Sequence, residues 1–394
     1  RTLALKAQFG TAFAKADHVF IADIYPASEK PIPGISGQTI VDALLAAGHP
    51  SALHVPEIRN IHEYAAAVLE EGDLILSLGA GNIHEAGSRL TRDLQTRDQL
   101  LDIIGPGRIK LYEPLSKHTT MRIGGPAQFW VEPETEEGFA DLVRHCFDQG
   151  IPLLVMGRGS NLLVRDGGIP GVVAHLSRGA FLRHEVNDLE ITVGVGVKFK
   201  QLSAIARNAE IAGFEWMEGI PGNLGGGLRM NAGAMGIQTF DQVVRVRFCD
   251  HDGNIFSKTP AEMEVQYRNI PMLRSNYAVS AVVRGHAGTR AGIDAVIAES
   301  VAKRRSSQPV AASAGCIFKN PASIPAGKLI DELGLKNFSV GGARVSDIHG
   351  NFIVNDGGAT SADVLTLIRE IQAAAERMRG IPLETEVQIV GVDL

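Results

Sequence analysis

An α/β unit followed by an α+β region is the fold class this sequence predicts, and three observations predict it. Over residues 1–104, short apolar runs alternate with stretches of helical periodicity, the pattern of a small parallel sheet. Gly105-Pro106-Gly107 then breaks the chain, which is where a domain boundary is expected. Beyond it lie two stretches rich in glycine, and one of them directly follows an apolar run. Three domains are expected: residues 1–104, 105–288 and 289–394.

The elements follow in order. Leu3 to Ala14 has helical periodicity, and His18 to Ala22 reads as a short strand. Gly37 to Ala47 and Ile61 to Leu69 read as helices. Asp73 to Leu78 reads as a buried strand ending in Gly79-Ala80-Gly81. Arg92 to Ile104 reads as a further helix. After the break, Glu137 to Gly150 reads as an amphipathic helix and Ile151 to Met156 as a buried strand. Strands are expected at Val172 to His175, Leu189 to Val195, Val243 to Cys249 and Ala278 to Val283, and a helix at Lys198 to Ala212. Ala291 to Arg305 is a strong helical pattern that opens the last domain. Ala362 to Gly380 is a long helix with glycine just past its end.

Composition narrows the function. Apolar residues make up 45% and charged residues 21%, as in ordinary globular proteins. A net charge of −6 leaves no basic excess to neutralise a nucleic-acid backbone. No apolar run reaches the ~20 residues that span a bilayer. The three cysteines, Cys146, Cys249 and Cys316, are widely spaced and form no Cys-x-x-Cys. That usage fits a reducing cytoplasm and gives no reason to expect a metal.

The glycine stretches carry the chemistry. Glycine lets backbone approach a ligand closely, and successive free N–H groups form an anion-binding concavity. Gly157-Arg158-Gly159-Ser160-Asn161-Leu162-Leu163 and Gly219-Ile220-Pro221-Gly222-Asn223-Leu224-Gly225-Gly226-Gly227 therefore suggest a cradle for a ligand with two phosphates. Gly157-x-Gly159-x-x-Leu162 lacks the third glycine of the Rossmann fingerprint.

These motifs resemble the UDP-N-acetylenolpyruvoylglucosamine reductases. The resemblance continues in order through Met230-Asn231-Ala232-Gly233-Ala234, Tyr267-Arg268, Gln308-Pro309, and Ser313-Ala314-Gly315-Cys316-Ile317-Phe318-Lys319-Asn320-Pro321. It ends with Ala326-Gly327-Lys328-Leu329-Ile330, His349-Gly350-Asn351-Phe352-Ile353-Val354-Asn355 and Leu383-Glu384-Thr385-Glu386-Val387. It implies an FAD-binding domain of the vanillyl-alcohol-oxidase type, then a substrate domain, with NADPH reducing FAD before a UDP-sugar is reduced. Arg122, in the entry motif Thr119 to Ala127, is implied at the cofactor. Gly157, Gly159, Ser160, Asn161, Gly219, Ile220, Gly222, Gly225, Gly226, Asn231 and Gly233 are implied there too. Cys316, which stands where many relatives have serine, is implied as the proton donor, with Arg268 and Glu386 as an electrophilic pair. Arg305, Lys319 and Asn320 are implied as substrate contacts. A free thiol is the stronger acid, with a reference pKa of about 8.5. His349 has no assigned role, and a satisfied core histidine is an equal reading.

Residues 1–104 carry a second resemblance. Asp23-Ile24-Tyr25-Pro26-Ala27-Ser28-Glu29 and Gly79-Ala80-Gly81-Asn82-Ile83 resemble the C-terminal domain of the UDP-N-acetylmuramate–L-alanine ligases. No Gly-x-x-x-x-Gly-Lys-Ser/Thr occurs, so ATP-dependent ligation by this chain is not expected. The chain opens on Arg1, and the expectation is a fusion in which the missing ligase domains precede it. Two alternatives stay open at this stage: an oxidase of the same fold, and a non-catalytic ligase-tail scaffold.

Overall fold

The computed structural model describes residues 2–25 and 30–393, which divide into two compact units, residues 1–99 and 100–394. Residues 26–29, four of the seven in the Asp23–Glu29 motif, lie outside the described residues.

In the first unit, strands Val19–Ile21 and Ala52–His54 pair in parallel. The helix Gly37–Ala46 runs between them in sequence and starts at a Ser36–Thr39 capping box. Gly37 has no room for a side chain, because a Cβ there would overlap Ala22 O and the His54 ring. Helices Thr2–Ala12 and Ile61–Ala66 and the short turn of 3-10 helix Ile58–Asn60 also belong to this unit, and helix His84–Ile104, which runs on past residue 99, starts further toward the N-terminus than its periodicity suggested. A small core gathers Val55, Ile61 and Ala86.

The strand expected at Asp73–Leu78 is not formed. The segment has no strand assignment, and Leu74 is 90% exposed. An apolar run is buried as a strand only where a sheet receives it. The sheet of this unit has two strands among the described residues, and neither pairs with residues 73–78.

The second unit holds three larger sheets. One has the order Gly107–Pro114, Pro126–Pro133, Ile169–Ala174, Leu153–Val155, antiparallel in its first pair and parallel in the other two. A five-stranded antiparallel sheet has the order Ile255–Lys258, Val243–Cys249, Tyr277–Arg284, Glu190–Gly194, His184–Asn187. One core joins both and includes Phe129, Phe139, Phe181, Phe199, Phe214 and Phe248. Helices Glu136–Asp148 and Phe199–Asn208 contribute to it.

The third sheet, Ser313–Cys316, Phe352–Asn355, Ala343–Val345 and Ser339–Val340, packs with helices Ala326–Glu332 and Ser361–Arg379 around a separate core. The long helix ends as expected at Gly380, φ 63°, and starts at a Thr360–Asp363 capping box. Strand Gln388–Val390 then leaves this region and pairs in parallel with Leu162–Val164. No helix among the described residues is long and apolar enough to cross a membrane.

Candidate active site

The first glycine stretch links strand Leu153–Val155 to strand Leu162–Val164. Gly159 sits at φ 58°, and a Cβ there would lie 2.7 Å from His118 O. Only glycine combines that φ with so close an approach. The loop is tied down from far along the chain: Asn161 Nδ2 donates to Glu386 O at 3.1 Å, and Gln388 N donates to Asn161 O at 3.0 Å.

The second stretch is partly helical, a departure from the loop its composition suggested. Residues Leu224–Met230 form a short helix ending at Asn231, which is left-handed at φ 40°. Packing overrides glycine's low helix propensity here. A Cβ at Gly227 would overlap the Phe199 ring, so the helix can lie against that ring only because it lacks one. Gly226 faces open space, with nothing within 4 Å of its missing Cβ. The two stretches meet at Gly157, where an added Cβ would lie 3.4 Å from the Asn223 side chain. Asn223 is 4% exposed, and its Oδ1 has no hydrogen-bond partner.

Both stretches line a cavity of about 1560 Å³ whose wall also includes Arg122, Arg268, Cys316 and Glu386. Arg268 Nε donates to Glu386 Oε1 at 2.9 Å, across 118 residues of sequence. Its Nη1 donates to Asn231 O at 2.9 Å, which ties the pair to the end of the glycine helix. Arg268 adopts φ 54°, a left-handed conformation that costs a non-glycine residue energy. Burial raises the Glu386 carboxyl above its ordinary value despite the opposing pull of Arg268. Such a carboxyl keeps its proton to higher pH and can donate a hydrogen bond.

Glu386 N donates to Ile317 O at 2.8 Å, so its segment runs beside Cys316. Burial pushes the Cys316 thiol up to about 12; Glu386 adds to the rise, while Arg268 and Arg304 oppose it. Cys316 is fully protonated at neutral pH, as a donor must be, but burial has removed most of the acidity of a free thiol.

The predicted substrate contacts divide. Arg305 is exposed at the cavity, whereas its neighbour Arg304 is half-buried. Arg304 packs across Gly219, where a Cβ would overlap its side chain, and its Nη2 donates to Gln308 Oε1 at 2.8 Å. Lys319 and Asn320 do not line the cavity. Lys319 is ion-paired with Glu384, and Asn320 Oδ1 accepts from Ala326 N at 3.0 Å, capping the helix that follows. Two polar side chains beside Pro321 are thus used locally.

His349 is half-buried with its ring engaged locally. Its Nδ1 accepts from Asn351 N at 3.1 Å, its ring packs edge-on against Phe352, and burial lowers its pKa. Arg304, His118 and His175 were missed in the sequence, although all three line the cavity. Helical phase could have found Arg304, because Ile293 and Ser300, eleven and four residues earlier on the same helix, are buried.

Comparison with known proteins identifies the family. Residues 127–258 match the family described as "FAD binding domain", and residues 308–390 match "UDP-N-acetylenolpyruvoylglucosamine reductase, C-terminal domain". A UDP-N-acetylenolpyruvoylglucosamine reductase from Clostridioides difficile is 41% identical over 296 residues, covering 75% of this chain and 97% of its own length. The chain belongs to the UDP-N-acetylenolpyruvoylglucosamine reductase family. A reductase of that name from Heliobacterium modesticaldum is 44% identical, covering 71% of this chain and 90% of its own. The crystal structure of the Thermus caldophilus reductase aligns with a TM-score of 0.63 at 35% identity, over 72% of this chain and 99% of its own. The reductase uses FAD and NADPH.

The residues present fit a flavin dinucleotide. Gly226 leaves open the space a side chain would fill, and Asn223 carries a buried amide oxygen with no partner on the same wall.

Proposed function

We propose that FAD lies along the two glycine stretches and that Arg268, Glu386 and Cys316 work on a UDP-sugar beside it. The reaction is the NADPH-dependent reduction of UDP-N-acetyl-3-O-(1-carboxyvinyl)-glucosamine to UDP-N-acetylmuramate, a step of peptidoglycan precursor synthesis. The observation that carries this reading is the Arg268–Glu386 pair, joined at 2.9 Å beside Cys316 on the wall both glycine stretches share.

FAD, when bound there, would supply the hydride that C3 of the enol ether takes up. Negative charge then develops toward the substrate carboxylate. Arg268 stays charged and opposes it, and a protonated Glu386 donates a hydrogen bond to it. Cys316 gives its proton to C2 and regains one from solvent. Asn161, whose Nδ2 holds the Glu386 backbone, keeps the phosphate-binding loop and the acid in fixed relation. Arg304, set on Gly219, is a better placed anion contact than Arg305.

The reaction is assigned to the cytoplasm, in keeping with three free cysteines among the described residues. Residues 1–104 are read as a ligase C-terminal-like domain on the Gly79-Ala80-Gly81-Asn82-Ile83 motif. An experimental fold of residues 1–104 that does not superpose on a ligase C-terminal domain would remove that part.

The central test is purification and reconstitution with FAD. The expected protein is yellow, releases its flavin on denaturation, and oxidises NADPH rapidly only with the enolpyruvyl substrate present. Folded protein that stays colourless after reconstitution contradicts the reading.

A further inference from the structure

The far side of the first glycine loop carries an aromatic stack that the reaction does not use. His118 lies on Trp130, ring centroids 4.0 Å apart and 28° between planes, and His175 sits 4.8 Å from Trp130 at 33°. Trp130 is fully buried, whereas both histidines line the cavity. The cavity therefore meets imidazole backed by indole.

Each ring is fixed. His118 Nε2 donates to Glu113 Oε1 at 2.9 Å, and Lys110 Nζ holds the same oxygen at 3.1 Å. His175 Nδ1 donates to Met156 O at 3.0 Å. Burial lowers the His175 pKa and keeps that ring neutral.

The stack is continuous with the phosphate-binding loop. Gly159 packs onto His118 O, and Thr120 N donates to Gly159 O at 3.4 Å. The other side of the same loop reaches the reaction end, through Asn161 to Glu386. A dinucleotide whose diphosphate rests on this loop must send one arm each way, and one of its arms is a purine nucleoside. A flat, rigid ring face held in place by its own hydrogen bonds suits a purine, which stacks on aromatic surfaces whatever its edge.

We propose that His118, backed by Trp130 and flanked by His175, is the stacking surface for the adenine of FAD, and that it makes the site prefer FAD to FMN. This rests on the flavin reading above. FMN shares the isoalloxazine ring and one phosphate but has no adenine, so the two flavins separate this contact from every other.

The test titrates the flavin-stripped full-length chain with FAD and with FMN and follows flavin fluorescence. Wild-type protein should bind FAD more tightly than FMN. His118→Ala should weaken FAD by roughly 5- to 150-fold, the range set by stacking one base on an aromatic ring. It should leave FMN unchanged. His118→Phe, which keeps a ring but loses the Glu113 bond, should recover most of the FAD affinity. Equal losses for both flavins would mean that the stack only supports the Gly159 loop, and unchanged FAD binding would place the adenine elsewhere. Either result overturns the proposal. Wild-type protein that takes up neither flavin defeats the reductase reading and the stacking role together.

Discussion

At the scale of single residues, the site depends on what burial does to two acids. Cys316→Ala should leave flavin reduction by NADPH near wild type and slow the substrate half-reaction by about 10²–10⁴-fold, the usual effect of losing a general acid. Cys316→Ser should retain much of the activity with a modest penalty, because a hydroxyl keeps a proton donor at the same position but is the weaker acid. Stopped-flow measurement of the two half-reactions decides this, and wild-type reoxidation in Cys316→Ala would assign the proton to another donor. Glu386 gives a pH signature. Its pKa is raised, its protonated form is the donor, and so the substrate half-reaction should fall as pH rises through that value. Glu386→Gln should be slower and should lose that limb. A limb that survives the substitution belongs to a different group.

At the scale of elements, adjacent glycines on one helix should behave oppositely. Gly227→Ala pushes a methyl into Phe199 and should destabilise the flavin-free protein by about 1–3 kcal/mol, the cost of overpacking. Gly226→Ala meets open space and should stabilise the flavin-free protein by about 1 kcal/mol through helix propensity, while weakening FAD. Thermal unfolding with and without FAD checks both. If Gly226→Ala leaves FAD affinity intact, that face does not hold the cofactor.

This helix also marks the limit of reading the sequence. Leu224–Met230 was hidden because three consecutive glycines argue against a helix, and the ring beneath them is supplied by Phe199, from a different element. Helix Ser361–Arg379 was legible because its periodicity and its stop signal, Gly380, are local. Residues 73–78 have the composition of a strand, but a strand also needs neighbours. The family motifs named Arg268 and Glu386. Nothing in a 118-residue separation could show that their side chains touch, or that Lys319 and Asn320 are engaged elsewhere.

At the scale of the whole molecule, the two units should respond differently to acid. His62, in the first unit, is buried, and burial together with Arg89 lowers its pKa from 6.5 to about 4. A depressed histidine contributes stability that is complete above its unfolded value near 6.5 and is lost as pH falls toward the folded value, at most about 3 kcal/mol. Both tryptophans, Trp130 and Trp216, lie in the second unit, so their fluorescence reports that unit alone. Far-ultraviolet dichroism reports both. Lowering the pH from 6.5 to 4 should bring dichroism loss forward to lower temperature, and His62→Leu should flatten that trend without moving the fluorescence transition. An unchanged slope in the variant would place the acid sensitivity elsewhere.

The pairing of Gln388–Val390 with Leu162–Val164 has a consequence in time. The loop proposed to hold the diphosphate is bonded by a residue 225 positions later in the chain. At about 5–20 residues per second of synthesis, that interval is on the order of 10–45 seconds. Through that interval the nascent chain carries its glycine loop without the strand that fixes it. If that loop holds the cofactor as proposed, capture comes late in synthesis, and chains stalled on the ribosome before residue 386 should bind FAD more weakly than finished ones.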